Sequence, residues 1–110
     1  MTIESLREFG ANVDEGVKRC ANNEAFYLRM AEMVKNEKGF EKLDTSVRAG
    51  NLKEGFEAAH ALKGVLGNLS LTPLYDPIVE ITELLRAQTE MDYVPLLDEI
   101  KSRKEKFDQL

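Results

Sequence analysis

Apolar side chains recur every three or four residues along most of this chain, which is the spacing of one face of an α-helix. The clearest stripe consists of Leu52, Phe56, Ala59, Leu62, Leu66 and Leu69. Weaker stripes of the same period occur in residues 26–34, 40–47, 74–85 and 97–107. No alternating strand pattern and no internal repeat interrupts them. The pattern predicts an all-α protein.

Capping residues and glycines place the helix boundaries. Thr2 predicts the start of a short helix that ends at Gly10, and a second short helix starts at Asn12 or Val13 and runs to about Cys20. Further N-caps are expected at Asn23 and at Asn51, the latter for the helix with the clearest stripe. Residues 1–110 are therefore predicted to form a single domain, an up-and-down four-helix bundle with additional short N-terminal helices.

Two start signals compete in the next-to-last helix. Thr72 precedes Pro73, and Asp76 precedes Pro77, and both pairs resemble a cap followed by a first-turn proline. The continuous stripe from Leu74 favours a start at Thr72. The last helix is expected to run from about Asp92 to the end of the chain. Cys20, Met30 and Met33 are predicted to fill the core.

Composition removes several classes of function. A net charge of −5 without a basic patch argues against nucleic-acid binding. No apolar run approaches the roughly 20 residues of a membrane span, and the acidic N-terminus lacks a signal-peptide pattern, so a cytoplasmic monomer is expected. One histidine and one cysteine, far apart in sequence, predict no metal site. No glycine-rich phosphate loop is present, so the chain is not expected to be an autonomous ATP-dependent kinase.

The only histidine, His60, lies on the helix with the clearest stripe. It is rotated about 120° from the centre of that stripe and should face solvent. Lys63 and Gly64 follow at the i+3 and i+4 positions, and Gly67 lies nearly two turns on. A glycine within a helix costs about 0.5–1 kcal/mol relative to alanine. Taken together, His60, Lys63 and Gly64 indicate that the glycine leaves room for a partner molecule. For either glycine taken alone, close packing between helices is the alternative explanation.

Two further residues are predicted to lie beside this site. Phe56 is only about 40° from His60 around the helix, between the core and the exposed face. Phe56, Glu57 and Gly67 are therefore expected to contact a docked partner.

An exposed imidazole with a neighbouring ammonium group suits phosphoryl transfer. An unprotonated imidazole has a nucleophilic ring nitrogen that can accept a phosphoryl group. Phosphoryl transfer requires mainly positioning and charge stabilisation, and Lys63 can supply a charge to phosphate oxygens. Because the site has no evident pocket, the other half of the reaction is expected to come from a partner protein.

These residues resemble the core motif of the histidine-containing phosphotransfer (HPt) domain of bacterial two-component phosphorelays. The matching positions are His60, Leu62, Lys63, Gly64, Gly67, Asn68 and Leu69, whereas Val65, Leu66 and Ser70 depart from the usual small residues. The resemblance implies a helical bundle whose histidine takes a phosphoryl group from a response-regulator receiver domain or a hybrid sensor histidine kinase. It then passes the group to another receiver.

The resemblance has two further implications for the site. No cofactor is expected on this chain, because the receiver would hold the Mg²⁺. A polar residue on the following helix often hydrogen-bonds the imidazole in this family, and the aligned position is Thr82, with Glu83 beside it.

Two other hypotheses remain beside the phosphorelay function. The bundle could be an adaptor that docks a two-component partner without phosphotransfer, in which case binding would not depend on His60. It could also be a plain structural bundle with a partly buried histidine, in which case the imidazole would be inaccessible.

Overall fold

The computed structural model describes all 110 residues and contains seven α-helices and no strand. The helices are α1 (Ile3–Phe9), α2 (Val13–Arg19), α3 (Glu24–Val34), α4 (Gly39–Arg48), α5 (Leu52–Asn68), α6 (Thr72–Arg86) and α7 (Val94–Asp108). The predicted all-α fold is confirmed. No helix combines the length and the hydropathy that crossing a membrane requires.

Helix α5 is the central element of the bundle. It packs along α4 on one side and α6 on the other, and α7 contacts both α6 and α4. The approach of α4 is so close that a Cβ atom on Gly55 would lie 2.5 Å from Cγ2 of Val47. Because two helices cover α5, its buried arc also includes Gly55 and Ala58 and is wider than the predicted stripe.

The predicted capping residues fix where the first helices and α5 begin. In each case the side-chain oxygen of the cap accepts a hydrogen bond from the backbone N–H three residues later, which satisfies one of the free donors of the first turn. The pairs are Thr2 with Ser5, Asn12 with Glu15, Asn23 with Phe26, and Asn51 with Glu54.

The start of α6 follows the continuous apolar stripe. The helix begins at Thr72 and passes through Pro77, so the second start signal at Asp76 is not used. Leu71, without a side-chain cap, occupies the N-cap position, and Thr72 is already helical. Burial of Leu74, Ile78 and Ile81 on one face stabilises the helix across the proline.

The core-filling role predicted for the α3 methionines is wrong for Met33, whereas Met30 packs partly buried against the core. Phe26 is 41% exposed and Met33 is 60% exposed, whereas Tyr27, Ala31 and Val34 form the buried face. The face with Tyr27 is buried because the tyrosine fills the core and its hydroxyl donates a buried hydrogen bond of 2.9 Å to the Leu69 carbonyl. The predicted burial of Cys20 is confirmed.

The turn after α5 has a strained residue at its centre. Ser70 has a φ of +52°, in the left-handed region that a side chain disfavours by about 1–2 kcal/mol. Glycine would adopt this conformation without that cost. Ser70 is buried, and its hydroxyl has no hydrogen-bond partner.

We expect the substitution Tyr27→Phe to lower the free energy of unfolding by about 1 kcal/mol, because it leaves the buried Leu69 carbonyl without its donor. Burial raises the pKa of Tyr27 to about 12. The folded protein therefore keeps a proton that the unfolded chain loses near pH 10, so this contribution is present below about pH 10 and is lost as the pH rises toward about 12.

Urea unfolding of both proteins from neutral to strongly alkaline pH measures this difference. The wild type should lose stability more steeply than the variant above about pH 10. Parallel curves would show that Tyr27 does not contribute to the alkaline loss.

Candidate functional site

His60 is exposed on the central helix, as predicted. The neighbouring residues Ala59 and Leu62 are buried, at 0% and 1% exposure. Because α5 is fixed on two sides and capped at Asn51, the Cα of His60 is held on a rigid element. The imidazole itself points away from the core into solvent.

The aromatic ring of Phe56 stacks on the imidazole. The two ring centroids are 5.7 Å apart and the planes are inclined by 20°, a stacked arrangement one helical turn apart. The guanidinium of Arg86, on α6, lies 5.0 Å from the centroid of the Phe56 ring. Phe56 thus links the imidazole to a cation on the neighbouring helix, by contacts that contribute about 0.5–1 kcal/mol each at exposed positions.

Glu83 connects two cations on this face. Its carboxylate lies 3.9 Å from Nζ of Lys63 and 3.3 Å from Nε of Arg86. All three side chains are at least about one-third exposed, so these ion pairs are weak and Lys63 can leave its partner for a stronger anion.

The expectation that Thr82 orients the imidazole is wrong for this structure. Thr82 is fully buried, and its hydroxyl donates a hydrogen bond of 2.6 Å to the Ile78 carbonyl, one turn back in α6. A threonine hydroxyl within a helix commonly bonds to the carbonyl four residues earlier, and this bond turns the Thr82 hydroxyl away from His60. Glu83 is occupied by Lys63 and Arg86 and makes no hydrogen bond to His60 either.

An open depression of about 290 Å³ lies beside the imidazole. Its lining includes two cations and no carboxylate. The lining residues are Arg19, His60, Lys63, Gly64, Gly67, Asn68 and Tyr75. Arg19 and Tyr75 were missed by the sequence analysis, because they come from α2 and α6 and no local pattern marks them as neighbours of His60.

The two glycines of the motif have different surroundings. A Cβ atom on Gly64 would meet nothing within 4 Å, whereas one on Gly67 would lie 3.0 Å from Cε1 of Tyr75. Packing against Tyr75 therefore accounts for Gly67, and Gly64 is the position that leaves open space next to His60. Glu57 is exposed but lies on the α4 side of α5, outside the depression.

The rest of the surface offers a second groove but no cluster of metal ligands. No three His, Cys, Asp or Glu side chains come together as a metal site. A separate groove of about 260 Å³ between α4 and α7 includes Phe40, Leu97 and Lys104, and it shares no residue with the depression at His60.

Comparison with protein-family models gives one match, to the Hpt domain, over residues 27–110. Neither the comparison with curated proteins nor that with solved structures returned a significant match. The matched segment contains α4 to α7, most of α3 and the exposed histidine, while α1 and α2 precede it. The chain belongs to the Hpt domain family, whose members carry out histidine phosphotransfer in phosphorelays and interact with receiver domains and kinases of two-component systems.

Proposed function

We propose that this protein accepts a phosphoryl group on His60 from the aspartyl phosphate of a response-regulator receiver domain and passes it to a second receiver. A hybrid sensor histidine kinase would charge the first receiver. The single observation that carries this proposal is the exposed imidazole beside the unobstructed surface at Gly64. A partner domain can approach an open surface of this kind, whereas a small-molecule site would be more enclosed.

The reaction needs little from this chain beyond a positioned nucleophile. The unprotonated ring nitrogen of His60 attacks phosphorus, the P–O bond to the aspartate breaks, and a P–N bond forms. The aspartate leaves as a carboxylate, and any proton on the other ring nitrogen can exchange with solvent. Return transfer to a receiver aspartate is the same step in reverse, with the imidazole as the leaving group.

Lys63 is proposed to stabilise the charge on the transferred phosphoryl group. It lies one helical turn from His60 and contacts Glu83 only at 3.9 Å. A phosphoryl group carries more negative charge than one carboxylate, so the ammonium group is expected to turn toward it.

The exposure of His60 argues against the hypothesis of a plain structural bundle with an inaccessible histidine. An adaptor that docks a receiver without transfer would use the same surface. Labelling experiments distinguish the adaptor from the transfer protein.

We expect wild-type protein to become phosphorylated by receivers charged with radiolabelled phosphate, and His60→Gln to remain unlabelled. Glutamine has a similar length and polarity but no nucleophilic ring nitrogen. Potassium phosphoramidate, a small phosphoryl donor, should label the same residue without a partner. Acid-labile, base-stable label identifies phosphohistidine.

Label on His60→Gln would contradict His60 as the acceptor. Labelling of the wild type by phosphoramidate but by none of the receivers, with receiver binding retained, would favour the adaptor. Circular dichroism of both proteins controls for folding.

Gly64→Ala and Gly67→Ala are a matched pair of variants that test whether the open space at Gly64 is needed for a receiver to dock. Gly64→Ala should raise the free energy of unfolding by up to about 1 kcal/mol, because alanine favours the helix and its methyl group meets nothing. It should nevertheless slow transfer from a receiver, because the methyl group stands on the docking surface. Gly67→Ala should be less stable than Gly64→Ala, because its methyl group displaces the Tyr75 ring.

Thermal unfolding and receiver-transfer rates measure the two effects separately. Unchanged transfer in a more stable Gly64→Ala protein would show that this glycine is not needed for docking.

Phe56→Ala should slow transfer more than it lowers helicity, because it removes the ring stacked on His60. Phe56→Tyr keeps the ring and should retain transfer, whereas Phe56→Leu keeps apolar volume without the ring and should behave like Phe56→Ala. If Phe56→Leu matches the wild type, Phe56 serves as core packing alone.

A further inference from the structure

Helix α2, which precedes the family match, packs on the C-terminal end of the helix that carries His60. The backbone N–H of Asn12 donates a hydrogen bond of 3.0 Å to the Ser70 carbonyl. Gly16 allows this approach, because a Cβ atom there would lie 2.7 Å from the Leu69 carbonyl oxygen and 2.4 Å from the Tyr27 ring. Helix α2 is thus fixed against the turn between α5 and α6.

Arg19, at the end of α2, reaches from this position into the depression beside His60. Its Nη1 donates a hydrogen bond of 3.2 Å to the Gly67 carbonyl, and its Nη2 lies 2.6 Å from the Glu15 carboxylate. The side chain is 49% exposed. These two contacts use two of the five N–H donors of a guanidinium, so the other three face no protein acceptor.

The charge of the depression is opposite to that of the chain. The protein has a net charge of −5, yet Arg19 and Lys63 are the charged residues among those that line this surface. A receiver domain that presents an aspartyl phosphate brings negative charge to the same place. Complementary charge at the rim of an interface chiefly raises the association rate and selects the partner.

Arg19 is too far from His60 to act on the transferred phosphoryl group itself. Its anchor, Gly67, is seven residues after His60 in α5, which corresponds to about 10 Å along the helix axis. A guanidinium held at Gly67 therefore faces the surface of a docked partner, while Lys63 is the cation close to the imidazole.

We propose that α2 forms one wall of the docking surface and that Arg19 is a specificity-determining residue, which binds an acidic group on the receiver domain next to its phosphorylated aspartate. The proposal rests on the proposed function, because it assigns the receiver as the partner. It adds a contact from outside the segment that matches the Hpt family.

The test compares Arg19→Glu and Arg19→Gln with the same changes at Arg7. Arg7 is a close match: it is 51% exposed, it also pairs with a carboxylate, Asp14, and it lies outside the depression. Phosphoryl transfer is measured at increasing concentrations of a charged receiver to separate KM from kcat. Labelling by phosphoramidate measures the reactivity of His60 without docking, and thermal unfolding measures the effect on α2.

Arg19→Glu should raise the KM for the receiver about fivefold with kcat within about twofold of the wild type, and Arg19→Gln should have a smaller effect. The wild-type KM should rise with salt more steeply than that of Arg19→Glu. The phosphoramidate rate should not change, and the Arg7 variants should keep the wild-type KM.

An unchanged KM in Arg19→Glu, or an equal rise in Arg7→Glu, would overturn the inference while leaving the proposed function intact. A slower reaction of Arg19→Glu with phosphoramidate would also overturn it, because Arg19 would then act on the chemistry of His60. Failure of the wild type to accept phosphate from any receiver would overturn the proposed function as well. If the charge reversal in Arg19→Glu unfolds α2, the KM of Arg19→Gln for the receiver tests the inference instead.

Discussion

The burial of α5 between α4 and α6 is the constraint on which the rest of the structure depends. Close approach on one side requires Gly55 opposite Val47, and the other side is filled by the apolar face of α6. The remaining side of α5 is exposed to solvent, and His60 and Gly64 lie on it. A helix packed on two sides cannot rotate without exposing apolar surface, so the energy that folds the bundle also fixes the direction of the imidazole.

The same packing brings together the side chains that surround the imidazole. Phe56 comes from α5, while Glu83 and Arg86 come from α6, and their contacts join the two helices next to His60. Each contact is partly exposed and weak by itself. In this protein an aromatic face takes the place beside the imidazole where a polar side chain of the next helix was expected, since Thr82 is turned into the core.

The end of α5 depends on the N-terminal helices. Carbonyl groups in the last turn of a helix have no partner within the helix. Here the Gly67 carbonyl accepts a hydrogen bond from Arg19, the Leu69 carbonyl accepts one from Tyr27, and that of Ser70 accepts one from the backbone of Asn12. These bonds stabilise a turn in which Ser70 is held in the left-handed region, and they bring an additional cation to the edge of the exposed surface.

The sequence by itself determined the helical elements, the N-caps of α1, α2, α3 and α5, and the exposure of His60, because these follow from local spacing and from hydrogen bonds within three or four residues. It also indicated an open Gly64 and an adjacent Phe56, since both lie within about one turn of His60. Tertiary structure decided which face of α3 is buried and that Gly67 packs against Tyr75. It also decided that the Thr82 hydroxyl points into the core and that Arg19 lines the depression beside His60. These features depend on distances between helices, which the periodicity of a single helix does not contain.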